Sequence, residues 1–224
     1  MHALAPRRFV ALCAAAATLV LGGCAATRST IDLPVSKPAP AALQAQAAVY
    51  VKVVEVTDKR VFEAKPSNPS TPSLGQPEEL KDAAITARAI ARKRGSFGNA
   101  LADILLPPDR TVALVVREAV TEALGQRGYT VVQAGAPEYA GAAPLDVDIR
   151  QFWSWLTPGF WTISLENESV LLLRSPRLFP AQDAQVRGYA IVRTLAATDD
   201  EWRRAMQLGV QDLVDKVKTT LPQP

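Results

Sequence analysis

Apolar and polar residues alternate along several parts of the chain in a way that predicts strands. In the first of these parts, Val49, Val51 and Val53 alternate with Tyr50 and Lys52. A period of two residues is that of a half-buried strand. Further strands are predicted at residues 129–132, 145–155, 161–173 and 186–194.

Two other segments show the spacing of amphipathic helices. Asp109 is placed to cap a helix over residues 110–126, and Gly128 is a stop signal. Thr198 begins a capping box with Glu201. The apolar stripe of the second helix comprises Trp202, Met206, Val210, Leu213, Val214 and Val217.

The order of these elements, β-α-β-β-β-β-α, predicts an α+β fold. We expect a single, mostly antiparallel sheet of about five strands packed on two helices. The domain is expected to span residues 47–222, with a proline-rich insertion at about 63–106. Pro158 and Gly159 fit the middle of a type II turn between the third and fourth strands.

The N-terminal residues have the pattern of a lipoprotein signal peptide. Arg7 and Arg8 precede an apolar run over residues 9–21, which is too short to cross a bilayer. The run ends in Leu21-Gly22-Gly23-Cys24, which looks like a lipobox cleaved between Gly23 and Cys24. The sequence thus predicts a signal peptide over 1–23, then a lipidated Cys24 and an Ala/Pro-rich tether over 24–46.

Removal of this signal peptide would change the chemistry that the chain can support. The mature chain would keep 23 basic and 22 acidic residues, a balance that does not favour a nucleic-acid partner. It would lose His2 and Cys13, and Cys24 would be acylated. We therefore expect neither a histidine- or thiol-based catalytic site nor a zinc site, and no cofactor.

The order and spacing of several short elements resemble the YajG-like lipoproteins of Gram-negative bacteria. These elements are the lipobox, Thr30-Ile31-Asp32, Asp58-Lys59-Arg60, Gln126-Arg127-Gly128-Tyr129 and the strand at 145–149. The resemblance implies an envelope lipoprotein with no catalytic residues to carry over. A looser likeness exists to auxiliary lipoproteins of lipid-exporting ABC systems.

An aromatic cluster is the candidate binding surface. Its members are Phe152, Trp153, Trp155, Phe160 and Trp161. We expect Trp153 and Trp155 to face the helices and Phe152 to face the other side of the sheet, because alternate strand residues point in opposite directions. Exposed aromatics here would suit a sugar, a lipid interface or a protein partner. The alternative is a local cluster covered by the 63–106 insertion.

Charged residues form two further groups. Arg88, Arg92, Lys93 and Arg94 lie in a segment that could be helical, where they would either attract an anionic leaflet or form a solvated helix end. Asp146 and Asp148 lie on one strand, and Glu166 and Glu168 on the next. They would serve as paired catalytic carboxylates, as calcium ligands or, more simply, as a solvent-facing sheet surface.

These patterns predict a non-catalytic envelope lipoprotein, held by acyl chains on Cys24 and binding an envelope protein, lipid or glycan. Because Ala25 rather than aspartate follows the cysteine, we expect the outer membrane, facing the periplasm. One alternative is an auxiliary lipoprotein of an ABC-type lipid-transport system. A more remote one is a carboxylate-based cell-wall hydrolase.

Overall fold

The computed structural model describes residues 28–35, 49–95 and 99–224. The predicted signal peptide, its cleavage site and Cys24 lie outside these residues. The strands within them are β1 Ser29–Thr30, β2 Tyr50–Asp58, β3 Ala89–Arg94, β4 Ala100–Leu105, β5 Thr130–Val131, β6 Ala143–Pro158, β7 Ile163–Arg174 and β8 Ala184–Thr194. The α-helices are α1 Ala83–Thr86, α2 Val112–Arg127 and α3 Asp199–Thr220, and short 3-10 helices span Pro77–Lys81 and Pro137–Tyr139.

Strand β6 is the centre of a mixed sheet. Along one edge it pairs antiparallel with β7, which pairs antiparallel with β8. The other edge is shared by two groups of strands. Residues 143–149 pair in parallel with β2, whose other neighbour is β5, and Ser154 pairs in parallel with β3, which leads on to β4 and β1.

The α+β class is confirmed, but the predicted sheet of about five mostly antiparallel strands is wrong. The described residues form eight strands with parallel and antiparallel pairs. Strands β3 and β4 lie within the predicted insertion at 63–106, so that segment is largely part of the sheet. The basic run from Arg88 to Arg94 is not helical, because Ala89–Arg94 forms β3.

Helices α2 and α3 pack on one face of the sheet and form the main core with it. Helix α2 contacts β2, α3 contacts β7 and β8, and the two helices contact each other. The side chain of Thr111, not of Asp109, caps α2 by accepting from the Leu114 amide at 3.2 Å. Gly128 ends this helix in the left-handed region, at φ 105°. The Thr198 side chain caps α3 by accepting from the Glu201 amide.

The first described residues belong to the domain rather than to a tether. Ser29 and Thr30 pair in parallel with the end of β4. Ile31 and Leu33 are each 1% exposed and lie in the main core. The tether predicted over 24–46 is therefore wrong at these positions, because alternate apolar side chains of this segment fill the core.

A smaller core lies on the opposite face of the sheet. Its buried residues are Leu74, Ala89, Leu105, Trp153 and Trp155, with Phe62, Leu80 and Ile85 packed against them. The segment between β2 and β3 thus folds back and covers part of the face that the two long helices leave open.

Candidate functional site

The predicted aromatic surface is divided by the fold into buried and exposed members. Phe152 and Trp153 are fully buried, and Trp155 is 9% exposed. Phe160 is 90% exposed and Trp161 is 83% exposed. The surface predicted from all five aromatics is therefore wrong for the first three, and only Phe160 and Trp161 are accessible.

A β-bulge reverses the predicted orientation of the buried aromatics. The pairing of β6 with β7 shifts between Ile149 and Gln151, so one residue of β6 has no opposite partner. Beyond the shift, Phe152 lies in the main core under the helices, whereas Trp153 and Trp155 lie in the smaller core. The covering segment predicted as the alternative, residues 63–106, supplies most of that smaller core.

The exposed pair lies at the tip of the β6–β7 hairpin. The rings of Phe160 and Trp161 meet edge to face, with centroids 4.8 Å apart and planes at 88°. Gly159 does not have the positive φ that the predicted type II turn would need at its third position. Glycine is required there for another reason: a Cβ atom would lie 2.4 Å from the Thr162 carbonyl oxygen.

Leu195 adds a third exposed apolar side chain to this tip. The last residue of β8, Thr194, pairs with Ile163, the first residue of β7. Leu195 follows directly and is 84% exposed. We call Phe160, Trp161 and Leu195 the apolar tip. No charged residue occurs in 151–165 or in 194–198, the two segments that form it.

Asp148 is the centre of an ion-pair network on the face of β6 away from the main core. Its carboxylate is fully buried and accepts from Lys59 at 2.8 Å, from Arg150 at 3.2 Å and from both terminal nitrogens of Arg174. The hydrogen bonds from Arg174 and Lys59 lower the pKa of Asp148 to about 2, although burial opposes them.

Glu166 and Glu168, predicted together with Asp146 and Asp148, also have polar partners. The hydroxyl groups of Thr157 and Tyr189 donate to Glu166, and Arg187 pairs with Glu168.

A pKa of about 2 leaves Asp148 ionised and unsuited to act as a general acid near neutral pH. Among the described residues, no group of three or more His, Cys, Asp or Glu side chains is placed to hold a metal ion.

The basic run on β3 makes contacts within the domain. The Arg88 side chain donates to the Leu106 carbonyl at 2.8 and 3.0 Å, and Arg92 is buried beside Asp103. Lys93 donates to Asp199 at 2.7 Å and to Ser29 at 2.6 Å. The contacts of Lys93 and Ser29 lower the pKa of Asp199 and connect β1, β3 and the start of α3.

The described surface includes two shallow clefts. One of about 490 Å³ is lined by Arg187, Tyr189, Asp212 and Lys216. The other, of about 340 Å³, lies beside Arg60 and Phe62. Both are partly charged. No helix of the described ranges is long and apolar enough to cross a membrane.

The sequence matches no protein-family model and no curated protein. Similar solved structures include an uncharacterized protein with a TM-score of 0.43 and 12% identity, the match covering 86% of this chain and 97% of that one. A Xanthomonas campestris protein of the family DUF330 has a TM-score of 0.41 and 12% identity over 87% and 93%. A hypothetical protein of Chlamydia trachomatis has a TM-score of 0.37 and 11% identity, the match covering 76% of this chain and 94% of that one. None is described as YajG-like, and the scores are too low for any function to be transferred.

Proposed function

We propose that this chain is a lipid-anchored lipoprotein of the bacterial envelope, cleaved before Cys24 and acylated on that cysteine. The observation that carries the proposal is the sequence Leu21-Gly22-Gly23-Cys24 at the end of a short apolar run. The likeness to YajG-like lipoproteins supports it. We place the protein at the outer membrane, facing the periplasm, because Ala25 follows the cysteine.

We further propose that the domain is a non-catalytic binding or accessory module for another envelope component. Asp148, Glu166 and Glu168 make ion pairs or hydrogen bonds within the domain, which favours a structural role for them. The apolar tip, in contrast, has exposed side chains that nothing in the described part of the chain covers. These features favour contact with a surface over hydrolysis of a bond.

The anchor is tested by replacing each cysteine in turn in the full-length chain. Cys24→Ala should abolish incorporation of a labelled fatty acid and release the protein from washed membranes. Cys13→Ala is the matched control, because Cys13 is the only other cysteine and lies in the apolar run. Acylation of the Cys24→Ala variant, or failure of the Cys13→Ala variant and the unaltered protein to be acylated, would refute the anchor.

The binding role is tested separately on the acylated protein. Crosslinking in intact cells, followed by purification under denaturing conditions, should recover a defined envelope component with the unaltered chain. Recovery of nothing beyond what an unrelated acylated lipoprotein recovers would count against a binding module, while leaving the anchor intact.

A further inference from the structure

We infer that the apolar tip of Phe160, Trp161 and Leu195 contacts the lipid bilayer in which the acyl chains are anchored, and thereby orients the domain on the membrane. This inference rests on the proposed anchor at Cys24. The tip is occupied by the interfacial region of a phospholipid membrane. Three features of the chain support this: the direction of the strands, the number of residues between Cys24 and the fold, and the composition of the tip.

The strand register shows that the chain enters the domain from the end of the sheet that carries the tip. Strand β3 runs parallel to β6, with Ala91 opposite Ser154, so both strands point toward the β6–β7 hairpin. Strand β4 is antiparallel to β3 and therefore begins at that end. Because β1 runs parallel to β4, β1 also begins at that end, and the chain enters it there through Arg28.

The distances agree with simultaneous contact of the anchor and the tip with one bilayer. Arg28 donates to Asp103 at 3.1 Å, and Asp103 lies opposite Arg92 in the pairing of β4 with β3. Because Ala91 lies opposite Ser154, the next residue, Arg92, is level with Trp155. Arg28 is therefore also about level with Trp155. Pro158 lies three residues beyond Trp155, about 10 Å along the strand. Cys24 precedes Arg28 by four residues, which span at most about 14 Å. The anchor therefore has enough chain to reach the level of the tip and too little to hold the domain far from the membrane.

The chemistry of the tip suits a membrane interface. Trp and Phe side chains are favoured at the boundary between lipid headgroups and hydrocarbon, where an apolar ring can be buried without removing a charge from water. Residues 151–165 and 194–198 contain no charge. The charged residues nearest to the tip in sequence, Arg193 and Asp199, are set back from it, on β8 and at the start of α3. This arrangement predicts shallow insertion of the tip alone.

Tryptophan fluorescence gives a direct test, because the other three tryptophans are nearly or fully buried. Trp153 and Trp202 are 0% exposed and Trp155 is 9% exposed. The full-length acylated protein is placed in phosphatidylethanolamine/phosphatidylglycerol vesicles whose lipids carry brominated acyl chains, which quench tryptophans that touch them. We expect loss of the Trp161 component of the emission, measured as the difference between the unaltered protein and a Trp161→Phe variant.

A tryptophan at the opposite end of the sheet is the matched control. Gln182 is exposed in the connection between β7 and β8, so Gln182→Trp in the Trp161→Phe background should not be quenched. Equal quenching of the two tryptophans, or quenching of neither, in protein that is acylated and retained on the vesicles would overturn the inference and leave the anchor standing. Absence of acylation or retention would instead refute the anchor.

A second arm distinguishes lipid from other occupants in the cell. A photo-crosslinking amino acid at position 161 should form adducts with phospholipid after irradiation of intact cells. Adducts with another protein, or with a second copy of this chain, would show that the tip is a protein interface and would overturn the inference.

Discussion

The guanidinium group of Arg60 donates to the main-chain carbonyl of Phe152, at 3.1 Å, where β6 changes neighbours from β2 to β3. The same side chain donates to the carbonyls of Ala89 and Thr86, at 2.6 and 2.8 Å, and makes a bidentate pair with Asp58. All five N–H groups of the buried guanidinium are thus used. The side chain fills the gap that the two strand groups leave along the edge of β6.

We expect Arg60→Lys to destabilise the domain by about 2 to 4 kcal/mol, because a lysine has three donors in a different geometry and leaves buried carbonyls without partners. Urea denaturation followed by circular dichroism measures the change. Arg187→Lys is the control: the Arg187 side chain is 66% exposed and pairs with Glu168 at the surface, so the change should cost less than about 1 kcal/mol. Equal losses of stability in the two variants would show that the buried hydrogen bonds of Arg60 stabilise the domain no more than a surface ion pair does.

The ion-pair network around Asp148 predicts a specific dependence of stability on pH. The folded-state pKa of about 2 is below the ordinary aspartate value of 3.8, so the ionised form stabilises the fold by about 2 kcal/mol. This contribution is fully present above the unfolded-state pKa. It should be lost as the pH falls from about 5 toward 2.

Asp148→Asn isolates this contribution. The difference in the free energy of unfolding between the unaltered protein and the variant should be largest near neutral pH and should shrink with acidification over that window. Glu55→Gln, on an exposed position of β2, is the control and should give a smaller difference near neutral pH. A difference for Asp148→Asn that does not change between pH 6 and 2 would refute the assignment, whatever its size.

Close packing of α3 on the sheet predicts an unusual effect of Gly209→Ala. A Cβ atom at position 209 would lie 1.9 Å from Oδ1 of Asn167, whose amide nitrogen donates to Ser154 at 2.7 Å. Alanine normally stabilises a helix by about 1 kcal/mol over glycine. Here we expect destabilisation of about 2 to 4 kcal/mol, because buried Asn167 must move.

Two further variants check that steric cause by thermal unfolding. In Gly141→Ala the nearest atom would be the Glu138 carbonyl oxygen at 3.8 Å, so the change should be small. Combining Gly209→Ala with Asn167→Ala should cost less stability than the sum of the two single changes, since the contacts with Oδ1 and Cγ of Asn167 are removed and only the Cβ contact at 2.9 Å remains. If the double variant is as unstable as the sum of the two single variants, the steric explanation is wrong.

The sequence was informative where one element follows a regular period and uninformative where a contact joins distant segments. The spacing of α3 and the glycine stop of α2 gave these helices nearly as found. Three strands and a bulge were missed: β1, only two residues long; β3 and β4, in the segment predicted as an insertion; and the bulge after Ile149, which sends Trp153 to the opposite face. A period of two cannot show a bulge, because one unpaired residue inverts every later position.

The candidate site was predictable only in part for a similar reason. The cluster of aromatics around Pro158-Gly159 was visible in the sequence, and Phe160 and Trp161 are indeed exposed. Leu195 was not visible as their neighbour, because the pairing of Thr194 with Ile163 brings it there. Asp148 and Arg60 each have one partner two residues away, but their other partners are more than 25 residues away, which no local pattern shows.

Tyr189, on the open face of the sheet beside Trp155, is expected to lose its proton at a higher pH than an ordinary tyrosine. The Tyr189 ring lies 6.5 Å from the Trp155 ring, and its hydroxyl donates to Glu166. Partial burial, followed by this hydrogen bond and the charge of Glu166, raises the pKa of Tyr189 to about 12. The neutral hydroxyl therefore stabilises the fold below the ordinary pKa of 10, and that contribution is lost as the pH rises through 12.

A spectrophotometric titration of tyrosinate absorption, taken as the difference between the unaltered protein and Tyr189→Phe, should show a single group that ionises near pH 12. The difference removes Tyr129, whose pKa is also raised by burial. Glu166→Gln should move the Tyr189 transition to lower pH without bringing it fully to the ordinary value, because burial, the larger cause, remains. A transition that is unchanged in Glu166→Gln would show that the hydrogen bond to Glu166 does not hold the proton on Tyr189.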